Sequence, residues 1–407
     1  MSFYKKTIKD IPIEHRRILL RADYNVPLNE SGEIDNDFRL TQSLPTLRYL
    51  LRHDCAVVIC SHLGRPKGEV NEKYSLEKVA ERLSKLLKQE VLFVPECVGD
   101  RVHQVTKRLR KGQVLLLENL RFHPEEEANS EGFAKRLASD SNARYFVQDG
   151  FGVVHRAHAS TEAVTHYLPS VAGLLIKKEY EHILGAMNHP KQPLVAVLGG
   201  VKISDKIGVI EQFIHIADTI IIGGAMANTF LKYRGYNVGK SVVEDGLDGT
   251  LRRIYDAAVA KVGVKKLEEF IQLPADVAVA QEIAANATRQ TKKVEDVSPN
   301  DFILDFGEHS INRTVNVIEK SATVVWNGTL GYAEFSQFAH GSARVAMALA
   351  QNSNITSVIG GGDTADFVLN WDSQNGRSFT HVSTGGGASL ELMAGKKLPG
   401  VEALLNA

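Results

Sequence analysis

The stretch LVAVLGGVKISDK, residues 194–206, sets five consecutive apolar residues directly before two glycines and two lysines. An apolar run this short, with no polar alternation, reads as a strand covered on both faces, the pattern of a parallel sheet. Residues of special chemistry placed just after it lie at the strand's carboxyl end, where open α/β sheets bind ligands. Working outward, the same unit recurs. ILL (18–20), AVVIC (56–60), VLFV (91–94), VLLL (114–117) and YFVQ (145–148) precede it, and TIII (219–222), ATVVW (322–326), ITSVI (355–359) and FTHVST (379–384) follow. Helical periodicity fills the intervals. In LEKVAERLSKLLKQ (76–89), Leu76, Val79, Ala80, Leu83, Leu86 and Leu87 keep three–four spacing, and Ser75 is placed to cap its start. The predicted class is α/β, with mostly parallel sheets flanked by helices in a three-layer αβα arrangement.

The 407 residues are enough for two domains. AGLLIKKEYEHILGAMNHP (172–190) reads as one helix and is followed by Pro190 and Pro193, so the boundary falls near 171–193. The tail KKLPGVEALLNA (396–407) contains a Pro-Gly break, and either finishes the second lobe or folds back onto the first. Basic and acidic residues number 48 each, which argues against a nucleic-acid binder. That balance hides an asymmetry: 15 of 22 Arg and 10 of 14 His come before residue 191, and 23 of 33 Gly after it. The three cysteines form no C-x-x-C pair, the N-terminus lacks a signal-peptide apolar core, and no apolar run nears the roughly 20 residues of a membrane span. A cytoplasmic chain with no membrane partner is expected.

Two series of residues follow the strands. After ILL come Arg21, Asp23 and Asn25, whose two-residue spacing points all three to one side of an extended segment. His62 and Arg65 follow AVVIC, Arg121 follows VLLL, Arg156 follows YFVQ, and Arg39 adds another guanidinium. Guanidinium groups hold carboxylate and phosphate through paired hydrogen bonds, so this series predicts a pocket for a small, multiply anionic substrate. The second series is built from backbone. Gly199-Gly200, Gly223-Gly224, Gly360 to Gly362 and Gly385 to Gly387 can present N–H groups to phosphate, and GGGASLEL enters a helix whose N-terminus favours anions. Lys202 and Lys206, four apart, read as one face of a helix start, and Asp363 as a magnesium carboxylate.

Other patterns carry less. RGYNVGKS (234–241) has three residues where a P-loop needs four, and DGFGVV lacks the third glycine of a dinucleotide fingerprint. Sequons at Asn286, Asn312 and Asn327 have no use in a cytoplasmic chain, and His123 and His158 read as core or solvated histidines rather than ligands.

RADYNVP, SHLGRP, ENLRF, DGFGVVHRAHAS, GGVKISDK, IIGGAMANTFLK, WNGTLGYAE, GGGDT and HVSTGGGASLEL, in this order, resemble the phosphoglycerate kinase family over essentially the whole chain. The resemblance implies two similarly sized lobes joined by a helix hinge. The lobes are an N-terminal phosphoglycerate lobe (1–172) and a nucleotide lobe (193–395), with an interdomain helix (173–192) between them in sequence and the tail 396–407 returning to the first lobe. It implies reversible phosphoryl transfer between 1,3-bisphosphoglycerate and Mg-ADP, giving 3-phosphoglycerate and Mg-ATP, with hinge closure bringing the substrates together. Arg21, Asp23, Asn25, Arg39, His62, Arg65, Arg121 and Arg156 would bind phosphoglycerate. Arg39, Lys202, Gly386 and Gly387 would stabilise the transferring group. Gly200, Lys202, Lys206, Gly224, Leu304, Asn327, Glu334, Gly361, Gly362, Asp363 and Thr364 would form the nucleotide site, with Asp363 on Mg²⁺. A monomer is expected.

The chain departs from the family's usual pattern at Val201 (Ala), Ala225 (Gly), Asn228 (Phe), Glu308 (Pro) and Thr329 (Pro) on the nucleotide side, and at Gln148 (Asn) and Gly150 (Ala) in the first lobe. The nucleotide-side changes predict a relaxed preference for ATP over GTP. The acceptor, a carboxylate, is already ionised at pH 7, so no general base is needed. The alternative is a non-catalytic nucleotide-binding relative with a regulatory role, for which loss of Lys202, Arg39 or Asp363 would be the sign; all three are present.

Overall fold

The computed structural model describes residues 3–407. It forms two compact units, one running up to Glu181 and including Lys397–Ala407, the other His182–Lys396. The division falls inside the helix Leu174–Asn188.

In the first unit, β1 (Arg17–Arg21), β2 (Ala56–Cys60), β3 (Val91–Val94), β4 (Val114–Leu117), β5 (Tyr145–Gln148) and β6 (Ser170–Ala172) form one parallel sheet in the order β3-β4-β2-β1-β5-β6. Its continuous apolar strands are explained by burial on both sides. Ile18, Leu20, Val57, Ile59 and Leu116 enter one core with the helix residues Leu47 and Leu83. Their neighbours Leu19, Val58, Leu115 and Phe146 enter the opposite core with Phe133 and Leu137. Each fully buried side chain of this size contributes about 1.5–3 kcal/mol. Arg21 pairs in register with Cys60 on one side and Gln148 on the other, so β1, β2 and β5 end level and the residues after them lie side by side. Strand β6, three residues long, carries no periodicity that a sequence window could detect.

The helix beginning at Glu77 corrects one expectation. Its N-cap is Leu76, not Ser75. The Ser75 hydroxyl accepts from the Glu77 N–H at 3.3 Å and donates to Glu118 Oε2 at 2.8 Å, while Glu118 Oε1 accepts from the Leu76 N–H at 2.9 Å. A carboxylate distant in sequence therefore meets the orphan donors at this helix end.

The second unit contains β7 (Leu194–Leu198), β8 (Thr219–Ile222), β9 (Ile271–Gln272), β10 (Asp276–Ala280), β11 (Gln290–Lys293), β12 (Phe302–Phe306), β13 (Thr323–Asn327), β14 (Thr356–Gly360) and β15 (His381–Val382). A parallel sheet of order β15-β14-β13-β7-β8-β9 forms its centre. A separate antiparallel sheet, β11-β10-β12, was not expected from sequence. Its edge strand QTKK is polar and largely exposed, so it lacks the apolar signal used to find the others.

Residues 397–407 pack into the first unit. Leu398 and Val401 are fully buried. Lys5, 5 % exposed, donates from Nζ to the Glu402 carbonyl at 2.7 Å, the Leu404 carbonyl at 2.9 Å and Asn406 Oδ1 at 2.8 Å. All three ammonium donors are used, and the three acceptors have no equivalent donor if the side chain is apolar. Lys5→Met is expected to lower the unfolding free energy of this unit by about 3 kcal/mol in denaturant titration. Hydrogen exchange should speed up at residues 402–406 well before it does in β1.

Candidate functional site

Because β1, β2 and β5 end level, Arg21, the Ser61-His62 step and the Gln148-Asp149 step converge. Arg21 is 1 % exposed. Its Nε donates to Ser160 Oγ at 2.7 Å, another nitrogen to the Ala22 carbonyl, and a third lies 3.2 Å from His62 Nδ1. A guanidinium can only donate, so Nδ1 is the acceptor and His62 carries its proton on Nε2, which lies 4.0 Å from Asp23 Oδ1. Burial, then the charges of Arg21, Arg121 and Arg39, hold the His62 pKa well below its usual value, so the ring is neutral.

Beneath Arg21 lies Glu126, fully buried, with Oε1 3.8 Å from the guanidinium and 2.6 Å from Ser160 Oγ; Oε2 accepts from the Ser160 N–H at 3.0 Å. Burial pushes the Glu126 pKa up, against the opposing pull of Arg21 and Ser160. Sequence reasoning missed Glu126 and Ser160. Within PEEEANS nothing separates the buried acid from its two solvated neighbours.

Asp23 pairs with Arg39. A Cβ on Gly152 would fall 2.0 Å from Asp23 Oδ2 and 3.0 Å from an Arg39 nitrogen, so only glycine lets the GFG segment approach that pair. Asn25 Oδ1 accepts from the Gly64 N–H at 2.8 Å, and Arg121 donates to the Gly64 carbonyl at 2.8 Å. Both fix the loop that carries Arg65. Arg65 and Arg156 are exposed, and among the described residues Arg65 has no ion pair. Arg21, Arg39, Arg121 and Arg156 are thus electrostatic neighbours around His62 and His158, and Arg65 stands on the rim loop. Strand β1 stops at Arg21, so the expected one-sided alignment of Arg21, Asp23 and Asn25 does not persist: the first turns inward and the third braces a loop.

The second unit assembles a different site. The helices Gly362–Trp371 and Gly386–Met393 start close together, since a Cβ on Gly386 would lie 3.3 Å from the Gly362 nitrogen. Two positive helix ends therefore converge. Beside them Asn327, 1 % exposed, accepts from Lys206 Nζ through Oδ1 at 2.6 Å and its carbonyl at 2.8 Å, and its Nδ2 is buried without a partner. An orphan donor beside the start of the helix Gly362–Trp371 is suited to an anion. Thr364 Oγ1 accepts from the Gly328 N–H at 2.6 Å and so orients this strand end.

Lys202 and Lys206 do not share a helical face. The helix begins at Ile207, and a turn closed by the Lys206 N–H on the Ile203 carbonyl (2.8 Å) sends Lys206 inward and leaves Lys202 exposed. Burial pulls the Lys206 pKa down to about 8, opposed by Asp363 and Asp205.

A cavity of about 660 Å³ adjoins this region and brings together Gly200, Gly224, Leu304, Glu334 and Asp363. Lys202, Gly386 and Gly387 do not line it. Asp363 lies in the first turn of its helix and is exposed. Among the described residues no cluster of three or more His, Cys, Asp or Glu could hold a metal ion. A single carboxylate beside an anion cradle fits Mg²⁺, which takes one or two carboxylates and completes its shell from phosphate oxygens and water.

Asp305, 2 % exposed, lines the same cavity and accepts from the Gly341 N–H at 3.1 Å and the Phe306 N–H at 2.8 Å. Burial raises its pKa to about 7. With the folded value above the unfolded one, its contribution to stability is fully present below about pH 4 and is lost as pH rises through about 7. The stability of Asp305→Asn should fall less steeply than that of the parent chain over this range, by about 1.4 kcal/mol per unit of pKa shift removed, as read by denaturant titration at each pH.

Gln148 and Gly150 are joined by a hydrogen bond: the Gly150 N–H donates to Gln148 Oε1 at 3.1 Å. A Cβ at 150 would meet backbone most closely, Ala22 at 3.2 Å and Asp23 at 3.3 Å, while its 3.4 Å from Oε1 is ordinary contact. Gly150→Ala should therefore cost about 1–2 kcal/mol by overpacking against backbone. Adding Gln148→Asn should leave that cost in place, as a double-mutant cycle would read.

The comparisons with known proteins point to one family. The family model described as phosphoglycerate kinase matches residues 8–396. The phosphoglycerate kinase of Koribacter versatilis is 47 % identical over 411 residues, covering 99 % of each chain. That of Moorella thermoacetica is 47 % identical over 400 residues, covering 98 % of this chain and 99 % of its own. Solved phosphoglycerate kinase structures from Coxiella burnetii (35 % identity, TM-score 0.82) and Pyrococcus horikoshii (30 %, TM-score 0.83) each align over 98 % of both chains.

Proposed function

The chain belongs to the phosphoglycerate kinase family, and on that premise we propose how its residues carry out the family's reaction. That reaction is reversible phosphoryl transfer between 1,3-bisphosphoglycerate and ADP, giving 3-phosphoglycerate and ATP. The single observation that best supports the reading is the paired design of the two units: a buried arginine and histidine cluster in one, and convergent helix N-termini with an orphan Asn327 donor in the other.

In the first unit, His62 Nε2–H, Arg39, Arg121, Arg156 and Arg65 bind the carboxylate and phosphate of phosphoglycerate. Arg21 is a positioning residue, since its donors are occupied by Ser160, the Ala22 carbonyl and His62. Asp23 and Asn25 orient Arg39 and the 62–65 loop. In the second unit, Gly361, Gly362, Thr364, Asn327 and Lys206 hold nucleotide phosphates, while Gly200, Gly224, Leu304 and Glu334 line the base and ribose. Asp363 holds Mg²⁺, which when bound neutralises the nucleotide phosphates. The substrate carboxylate attacks without a base, so catalysis rests on alignment and on charge placed over the transferring oxygens. Lys202, exposed and outside the cavity lining, is free to serve that group, with Arg39 and the N–H groups of Gly386 and Gly387.

Acyl phosphates hydrolyse, so transfer must exclude water and bring both substrates together. The helix Leu174–Asn188, which links the units in sequence, is the proposed hinge. The three cysteines are buried and unpaired, which supports a reducing, cytoplasmic setting. Among the described residues no helix is long and apolar enough to cross a membrane. Every residue proposed for the two sites comes from this one chain, so the proposed form is a monomer. The regulatory alternative is not favoured, because Arg39, Lys202 and Asp363 are all retained.

A coupled assay with 3-phosphoglycerate, ATP and Mg²⁺ tests the proposal. Lys202→Ala should lower kcat by about two to three orders of magnitude with little change in KM for phosphoglycerate. Arg65→Ala should chiefly raise that KM. Normal turnover in the first variant would remove Lys202 from the transition state, and unchanged kinetics in the second would remove Arg65 from the substrate pocket.

A further inference from the structure

Gly173 precedes the helix Leu174–Asn188 and offers it no capping side chain. A Cβ at this position would lie 2.0 Å from Asp149 Oδ1, so no side chain fits. The first four N–H groups of a helix have no partner within it. Here they are met from other elements of the first unit. The Gly173 N–H donates to the Gln148 carbonyl at 2.8 Å, the Leu174 N–H to Thr46 Oγ1 at 3.0 Å, and the Leu175 N–H to Asp149 Oδ1 at 2.9 Å. The Ile176 N–H also favours the charged form of Asp149. Asp149 is 1 % exposed, and Thr46 is fully buried. Burial pushes the Asp149 pKa up to about 7, against the pull of Thr46 and of the Leu175 and Ile176 N–H groups.

Both side chains belong to segments that also build the phosphoglycerate pocket. Thr46 lies in the helix Phe38–Arg52, whose second residue is Arg39. The two are two turns apart, roughly 10 Å, along one face. Arg39 pairs with Asp23 at one end, and Thr46 holds the Leu174 N–H at the other. Asp149 follows β5 directly, and its N–H donates to the Arg21 carbonyl at 2.8 Å. The segment after it carries Gly152, which packs against the Asp23–Arg39 pair. A shift of Arg39 or of the GFG segment thus has two short routes, one helix and one loop, to the same helix start.

We propose that Thr46 and Asp149 are positioning residues, which transmit the engagement of phosphoglycerate at Arg39 to the start of the helix Leu174–Asn188. Neither touches the substrate; both act through the first turn of that helix. This rests on Arg39 lying in the phosphoglycerate pocket, and it gives the proposed hinge a link to the substrate.

The test is amide hydrogen exchange on the full chain, with and without saturating 3-phosphoglycerate. In the parent chain the ligand should slow exchange at residues 174–177 by about fivefold. Thr46→Val keeps the volume and removes the hydroxyl, and Asp149→Asn keeps the shape and removes one acceptor. Each should reduce that response to less than about twofold and lower kcat about tenfold, with calorimetric affinity for phosphoglycerate changed less than about threefold. Thr46→Ser, which retains the hydroxyl, should restore both response and turnover. A purely structural role gives another pattern: exchange at 174–177 speeds up in both variants, but the ligand still slows it by the same factor and kcat is retained. That pattern overturns the assignment, as does a Thr46→Ser chain as impaired as Thr46→Val. If Thr46→Val does not fold, Asp149→Asn carries the same comparison alone. A parent chain that binds phosphoglycerate without a response at 174–177 would remove only the coupling. A parent chain that does not bind it would remove the pocket and the coupling together.

Discussion

Arginines gathered to grip a small polyanion repel one another whenever the pocket is empty. Two like charges 4 Å apart cost about 4 kcal/mol at an effective dielectric near 20. The first unit meets this constraint in layers. Glu126 is buried under Arg21, Asp23 pairs with Arg39, and Glu127 lies 3.3 Å from Arg121 Nε. His62 adds a donor without adding charge, since burial and then the surrounding cations keep it neutral. The cations at the rim, Arg65 and Arg156, remain solvated. The floor is therefore neutralised in advance and the rim is not, so the unit can fold without ligand and still attract an anion. Gly152 and Ser160 serve the same arrangement, one by making room for the Asp23–Arg39 pair and the other by bonding to both Arg21 and Glu126.

The second unit avoids the difficulty by using backbone. N–H groups at helix starts carry partial charge without net charge, so several can converge with little mutual repulsion. One ammonium, Lys206, is buried there, and its pKa of about 8 shows what burying even one full charge entails.

What could be read from sequence follows the same division. Strands buried on both faces were legible, since each core-facing residue of β2 or β7 is apolar and the runs stand out. The residues after them were legible because parallel strands ending level must gather whatever comes next. Glu126 and Ser160 were not, nor was the part Glu118 plays at a helix start. Each owes its place to a contact distant along the chain, and locally looks like any surface polar residue. The β11-β10-β12 sheet was missed because its polar edge carries no apolar pattern, and the Lys202–Lys206 spacing misled because a turn, not a helix, lies between them. The identity of the ligands came from motif resemblance; charge pattern alone reached only a small polyanion and a phosphate-bearing partner.

The Lys5 clamp on residues 402–406 makes the first unit discontinuous: its last piece is encoded after the entire second unit. On the ribosome, β1 to β6 emerge early but stay without their closing segment for more than 200 further residues. At about 5–20 residues per second that wait lasts at least ten seconds, long compared with the folding of a domain this size. During synthesis the second unit is thus the first that can be completed, even though it is translated later. The buried surfaces that receive Leu398 and Val401 stay open for that interval, a natural place for a chaperone to hold the nascent chain.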